Sequence, residues 1–289
     1  MASRKRLTSS NQADLFNPEV ELLLPARFAI DGKVLGSPVR QLAVPARRVR
    51  CRLCPFAIRR VNGYETTLNS GETLKIISAK TATPLEADLI LFAPGATAPE
   101  RIAEALELGE SRWMNAPPTS IDTLDRAARA ARLKVVSASW IDALNLREGR
   151  AASDGRTAQP GLRRPQIGAL HAALAHATRS TDPATIVMPT GTGKTETMLA
   201  LNANQRFERL LVVVPTDALR EQIASKFETF GVLKQQKCLD ETAAFPLVMR
   251  LSHIPTSPTE VDEIFDSANV IVTTMQIAGR ADAPVQERM

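Results

Sequence analysis

The stretch from Thr185 to Thr197, TIVMPTGTGKTET, constrains the fold more than any other part of the chain. Ile186, Val187 and Met188 read as the end of a buried strand. Pro189 to Gly193 cannot continue a strand and do not favour a helix, so they form a loop. Lys194 and Thr195 then open a helix that runs through Glu196 and Met198 to Leu201. Strand, glycine loop, Gly-Lys-Thr and helix in this order form a phosphate-binding loop. Gly191 and Gly193 let backbone N–H groups turn inward around an anion where a Cβ would clash. The helix N-terminus adds unpaired N–H groups and the positive end of its dipole. Thr190, Gly191, Thr192, Gly193, Lys194, Thr195 and Glu196 are the expected contacts of a bound nucleotide. Lys194 would neutralise β/γ-phosphate charge, and the Thr195 hydroxyl would ligate Mg²⁺. Chain fold and chemistry are thereby tied to one α/β unit that binds a nucleoside triphosphate and Mg²⁺.

A chain of 289 residues suggests roughly two domains. Gly149 to Gly161, GRAASDGRTAQPG, has no apolar periodicity and is rich in small and polar residues. It reads as a linker. The expected organisation is an N-terminal accessory domain over 1–150, a linker over 151–161 and the phosphate-loop domain over 162–289. Residues 1–60 carry twelve Lys/Arg against four Asp/Glu, a formal +8, which leaves −3 for the rest of a +5 chain. A basic N-terminal end suits a polyanion such as nucleic acid, and equally a solvated sheet face. No stretch has the length and apolarity of a membrane span, and the N-terminus has no apolar signal core. Three cysteines make no disulfide framework, which points to a reducing cytoplasm. Cys51 and Cys54 form a single CxxC with no second pair, so small buried thiols are expected rather than a zinc site.

In the first part, Leu22 to Leu24 form an apolar run and Asp31-Gly32 reads as a turn between strands. From Val44 onward the residues alternate: Val49, Cys51 and Leu53 face one way, Arg48, Arg50 and Arg52 the other, with Arg59 and Arg60 following. This arginine ladder could track phosphates or be the wet face of an antiparallel sheet. Ala87 to Ala93 predict a strand and Pro99 to Leu108 a helix. A second helix starts at Ser120, a strand covers Lys134 to Val136, and a short helix spans Ser139 to Leu144. LKVVSASWIDALNLREG resembles the last strand and helix of a BRCT domain through Val135, Val136, Ser137, Trp140 and Gly149. That resemblance would cover about 85–150. It also raises a protein partner for the N-terminal domain.

In the second part, helices and strands alternate. Pro165 opens a helix with Ile167, Leu170 and Leu174 on one face. Leu210 to Val214 are an all-apolar strand expected to be buried on both faces. Thr216 or Asp217 caps a helix with Leu219, Ile223 and Phe227 as its core stripe. Ser257-Pro258-Thr259-Glu260 is a capping box. Asn269 to Thr273 form a further strand. The expected class is α/β, with a doubly wound parallel sheet preceded by a smaller α/β or α+β domain.

Residues 160–289 resemble the first RecA-like domain of superfamily 2 helicases, of the restriction-subunit-like group and similar to DEAD/DEAH-type proteins. MPTGTGKT resembles the ATP motif, with Met188 where the common pattern has Gly. LRRPQ resembles the upstream segment whose Gln meets the adenine edge, which implies that role for Gln166. VVVPTDALREQ resembles the motif on the nucleic-acid track and implies Pro215, Thr216, Leu219 and Gln222 there. VIVTTMQ resembles a third motif near nucleic-acid backbone and implies Thr273, Thr274 and Gln276. The resemblance implies a nucleic-acid-dependent ATPase acting on DNA in preference to RNA. The Asp-Glu motif of the family should come after another apolar run beyond Gln276. Asp262-Glu263 precedes the Thr-Thr strand and reads as solvated helix surface. The expectation is therefore the N-terminal part of a longer protein, or a truncated product, inactive by itself. The alternative is a non-hydrolysing module that binds nucleotide or nucleic acid. A kinase-like phosphate-loop enzyme would not show the ordered Pro-Thr-x-x-Leu and Thr-Thr-x-Gln segments.

Overall fold

The structure is a computed structural model. It describes residues 19–58, 61–79, 85–94, 98–109, 111–114, 117–150 and 159–289. In chain order the strands begin with β1 (Glu19–Leu24), β2 (Arg27–Val34), β3 (Ser37–Val44), β4 (Arg47–Arg52), β5 (Cys54–Ile58), β6 (Val61–Thr67), β7 (Thr73–Ile77) and β8 (Leu89–Phe92). Helix α1 (Pro99–Glu107), β9 (Arg112–Trp113), β10 (Thr119–Ser120), a 3₁₀ turn (Ile121–Thr123), α2 (Arg126–Ala138) and α3 (Arg164–Ala177) follow. Then come α4 (Lys194–Gln205), β11 (Leu210–Val214), α5 (Asp217–Thr229), β12 (Leu247–Arg250) and α6 (Pro258–Phe265). The chain finishes with β13 (Val270–Thr274), α7 (Met275–Arg280) and α8 (Ala283–Arg288).

The described residues form two compact units, one within 1–26 and 46–117, the other within 27–45 and 118–289. This division does not follow a boundary at 150, because residues 27–45 and 118–150 pack with the phosphate-loop part. Of the expected linker, 151–158 lie outside the described residues. Its flanks pair with each other, Arg150 with Gln159 and Glu148 with Leu162.

In the first unit, β1 and β4 form an antiparallel pair and β5-β6-β7-β8-β9 a mixed sheet, parallel only at β7-β8. Leu22, Leu24, Leu53, Leu74, Leu89, Leu91 and Ile102 build the shared core, each no more than 1% exposed. The alternation along β4 is as expected: Cys51 is buried while Arg48, Arg50 and Arg52 are exposed. The opposite strand tempers the ladder. Glu21 is 3.4 Å from both Arg48 and Arg50, and Glu19 faces Arg52 in register. The face thus carries both signs of charge and has the character of a solvated sheet surface. Arg59 and Arg60 lie outside the described residues. Cys51 and Cys238 are buried and Cys54 is half-buried.

In the second unit, one six-stranded sheet runs β10-β2-β3-β12-β13-β11. Strands β12, β13 and β11 are parallel, but β3 joins β12 antiparallel, with Leu247 opposite Gln41. The three strands of 162–289 are thus parallel, as expected, and the six-stranded sheet is mixed because β3 joins it from outside that segment. The hairpin β2-β3 supplies the extra strands, and Gln41 anchors it by donating to the Phe245 carbonyl at 2.8 Å. Its turn is Leu35-Gly36, both at positive φ, whereas Asp31-Gly32 lies within β2. Gly32 is needed there for close packing: a Cβ would sit 2.7 Å from the Ile121 side chain.

Three further expectations fail for physical reasons. Lys134 to Val136 belong to α2, not to a strand. Asp125 caps that helix by accepting from the Ala128 N–H at 2.7 Å, and Leu133 and Val136 form its buried face while Val135 points outward. Helical spacing and a cap override the local β propensity of two valines. The Ser139 to Leu144 helix is a turn instead. The BRCT-like reading loses its last strand and helix, and 85–150 is split between the two units. Trp140 is nonetheless a core residue, 1% exposed, edge-on to Phe230 at 5.5 Å and donating to the Ala244 carbonyl at 2.8 Å.

Strand β11 is the sheet's last strand, so its residues are mostly half-exposed rather than buried on both faces. The central strand β13 is buried at every residue, as a strand with two neighbours should be. Residues 185–188 form no strand; Ile186 is 43% and Val187 88% exposed, and only Met188 is buried. None of the described strands pairs with them.

Candidate nucleotide-binding site

The phosphate loop is shaped by its glycines and braced by α3. Gly191 and Gly193 adopt φ of 80° and 90°, a region that only glycine enters without strain. Gly193 is the N-cap of α4. Thr192 closes the loop by donating its hydroxyl to the Pro189 carbonyl at 2.7 Å. Thr197, one turn into α4, donates to the Gly193 carbonyl at 3.1 Å.

Two residues at the start of α3 hold this loop from outside. Arg163 donates from its guanidinium to the Gly191 carbonyl at 2.7 Å. Gln166, buried at 6% exposure, accepts the Arg163 N–H at 2.7 Å on Oε1. Its Nε2 donates to the Gly193 carbonyl at 3.3 Å. One carboxamide thus caps its own helix and props the loop.

A cavity of about 680 Å³ opens beside the loop. That is a size suited to a nucleotide. Thr190, Gly191, Gly193, Lys194, Thr195 and Glu196 line one wall, with Gln166 beside them. Thr192, expected among these contacts, turns its hydroxyl back to Pro189. Gly161, Leu162 and Arg163, with Val232, Leu233 and Gln236 after α5, complete the lining. Leu162 and Leu233 are buried beneath it. Gln222, expected on the nucleic-acid track, lines this cavity too.

The residues present fit a magnesium-bound triphosphate. Two positive-φ glycines turn N–H groups into the loop, and a helix of twelve residues points its N-terminus at the same space. Among the described residues, neither the Lys194 ammonium nor the Thr195 hydroxyl has a protein partner. Both are thus available for phosphate and metal. Glu196 is the one carboxylate among the residues lining the cavity.

The remaining candidates gather at the carboxyl ends of two neighbouring strands. Val214 of β11 lies opposite Thr274 of β13, so Pro215 and Thr216 emerge beside Met275 and Gln276. Pro215, Thr216 and Gln276 are exposed. Thr216 caps α5 by accepting from the Leu219 N–H at 3.3 Å. Thr273 is wholly buried and donates its hydroxyl to the Leu251 carbonyl at 3.3 Å. Thr274 is 5% exposed and caps α7 by accepting from the Ile277 N–H at 3.4 Å. The Asp262-Glu263 pair is on α6, away from the cavity lining. Asp262 accepts from Arg288 at 2.6 Å, and Glu263 lies 3.9 Å from Arg129.

A comparison with known families covers the region that holds the loop and these strand ends. Residues 159–288 match the family model described as type III restriction enzyme, res subunit. This region is superfamily 2 helicase-like. Neither a curated protein nor a solved structure gives a significant match to the chain. The helicase-like region begins at the bridges that flank 151–158 and contains every residue of the cavity. The matched region is similar to a family of nucleic-acid-related ATPases, and a mixed α/β fold with parallel β11, β13 and β12 is compatible with a RecA-like domain.

Sequence reasoning missed part of the cavity lining. Arg163 had a signal, since it stands three residues before Gln166 in the same segment. Val232, Leu233 and Gln236 had none, because only the turn after α5 brings them to the loop. Gly231 makes that approach possible: a Cβ there would sit 2.9 Å from Leu199 of α4.

Proposed function

We propose that the helicase-like region binds Mg·ATP in the phosphate-loop cavity and a nucleic-acid backbone at the carboxyl edge of β11 and β13, as part of a nucleic-acid-dependent ATPase of helicase or translocase type. The observation that carries this is the cavity itself, where the positive-φ loop, Lys194 and Thr195 face a wall large enough for the nucleoside. The N–H groups of Gly191 to Thr195 receive the phosphates, Lys194 offsets their charge, and Thr195 holds the metal. Magnesium, when bound, supplies further neutralisation of the β/γ-phosphates. Gln166 meets the base while its other contacts keep the loop in shape, so base binding and phosphate binding share one strut.

At the strand edge, a phosphate backbone would meet the exposed Thr216 and Gln276 and the first N–H groups of α7. Thr273 would act from beneath, by fixing β13 to Leu251. Contacts of this kind give affinity without sequence choice. DNA is the favoured partner over RNA.

A second reading rests on the cavity wall: Glu196 is its one carboxylate among the described residues. A site that holds triphosphate and metal without a carboxylate placed for water activation binds and does not turn over. In this reading the 289-residue chain is a non-hydrolysing nucleotide and nucleic-acid binding module.

Nucleic-acid-stimulated ATPase measured at low salt separates the two. The first reading expects stimulated turnover, with Lys194→Ala abolishing it. Binding of ATP and DNA without turnover would leave only the second.

A further inference from the structure

The cavity contains a polar side chain to which the helicase-like match gives no role. Gln236 lies beyond α5, seventy residues after Gln166, and lines the same cavity as the phosphate loop. The orientation of its carboxamide is fixed: Oε1 accepts the Gly161 N–H at 3.1 Å. Nε2 must therefore point the other way, and both of its N–H groups lack a protein acceptor among the described residues.

Gln166 is arranged in the same manner. Its Oε1 is taken by the Arg163 N–H, and one Nε2 hydrogen goes to Gly193. One Nε2 hydrogen remains. Both carboxamides therefore spend their acceptor on the backbone and keep donors for whatever enters the cavity. Leu162, Leu233 and the half-buried Val232 line the same cavity. Apolar carbon beside N–H donors suits a flat heteroaromatic ring with acceptor nitrogens, which describes an adenine base.

We propose that Gln236 is a second base-reading residue of the nucleotide site, donating from Nε2 to a ring nitrogen of adenine while Gly161 holds its carbonyl. This rests on the nucleotide reading above and adds a determinant of base affinity to it. It also ties the base to the segment just after 151–158, since Gln236 grips Gly161.

The test is calorimetric titration of the 289-residue chain with Mg·ATP and, separately, with magnesium tripolyphosphate, which has the phosphates but no base. Gln236→Leu removes the donors. Gln236→Glu keeps an acceptor for the Gly161 N–H and replaces the donor by a carboxylate oxygen, so it remains informative where the leucine variant folds poorly. The readout is the ratio of ATP to tripolyphosphate affinity, which is insensitive to charge effects that weaken both ligands alike. Loss of one neutral hydrogen bond corresponds to about a fivefold fall in that ratio. We expect such a fall in both variants. An unchanged ratio overturns the role of Gln236 and leaves the nucleotide site standing. A wild-type chain that binds neither ligand overturns the nucleotide site itself, and with it this proposal.

Discussion

Gln166 donates to the carbonyl oxygen of Gly193 at 3.3 Å, and a Cβ added to Gly193 would lie 1.9 Å from that same Gln166 nitrogen. The glycine is thus required twice over, by its φ of 90° and by the strut that braces it. Gly193→Ala should strain the loop by roughly 1–2 kcal/mol from backbone alone and push Gln166 off its contact. We expect a lower unfolding midpoint together with loss of Mg·ATP binding by titration. Retained affinity in this variant would show that Gln166 does not shape the loop.

Arg250 of β12 and Glu228 of α5 form a buried ion pair, each side chain 10% exposed. Arg250 also donates to Glu221 at 2.9 Å and to Ser225 at 3.2 Å, so each of its guanidinium nitrogens has a partner. Removing one partner leaves a buried charge. Glu228→Ala should destabilise by about 3–5 kcal/mol, and replacing both residues with apolar ones should recover much of that loss. Urea unfolding of the single and double variants checks this. A single variant within about 1 kcal/mol of wild type would mean that solvent reaches the pair.

Glu260 gives the fold an acid-side weakness. Burial raises its carboxyl pKa, but hydrogen bonds from the Thr256 N–H, the Thr256 hydroxyl and His253 outweigh that and hold it below the ordinary 4.5. His253 Nε2 lies 2.8 Å away and the Thr256 N–H 2.7 Å. A depressed folded pKa means stability that is fully present above about pH 4.5 and is lost as pH falls through the lowered value. Glu260→Gln should therefore flatten the acid limb of the stability curve below pH 4.5 and leave its shape near neutrality unchanged. A steeper acid limb in the variant would contradict this.

Asn202 on α4 is fully buried, and neither atom of its carboxamide has a partner among the described residues. Burying such a group costs about 1–3 kcal/mol. Asn202→Leu should raise the thermal midpoint. A fall equivalent to more than about 1 kcal/mol would show that the amide has a partner that stabilises the helix.

Local chemistry made the site legible in the sequence. The loop needs Gly191 and Gly193 in particular conformations, and Lys194-Thr195 open the helix at once, so one short segment carries the whole phosphate grip. Caps were equally readable, since Thr216 and Ser257 act on N–H groups within three residues. Even so, Glu260 turns its carboxylate to Thr256 rather than back to Ser257, so only half of that capping box forms. What could not be read depends on distant partners. The hairpin β2-β3 looked like part of an N-terminal domain because nothing local says that Gln41 will meet Leu247. Val135 and Val136 looked like strand because their neighbours in space, not in sequence, decide which one is buried. Gln236 was invisible for the same reason: an exposed-looking polar residue becomes part of a cavity only when Gly231 brings its turn against α4.

Equilibrium binding of Mg·ATP to the 289-residue chain, wild type beside Lys194→Ala, tests the central claim most directly. The structure predicts binding by the wild type and a loss of more than about tenfold in the variant, since a charge-assisted phosphate contact is worth about 1.5–3 kcal/mol. Equal affinity in the two proteins, or no binding by the wild type, would contradict it.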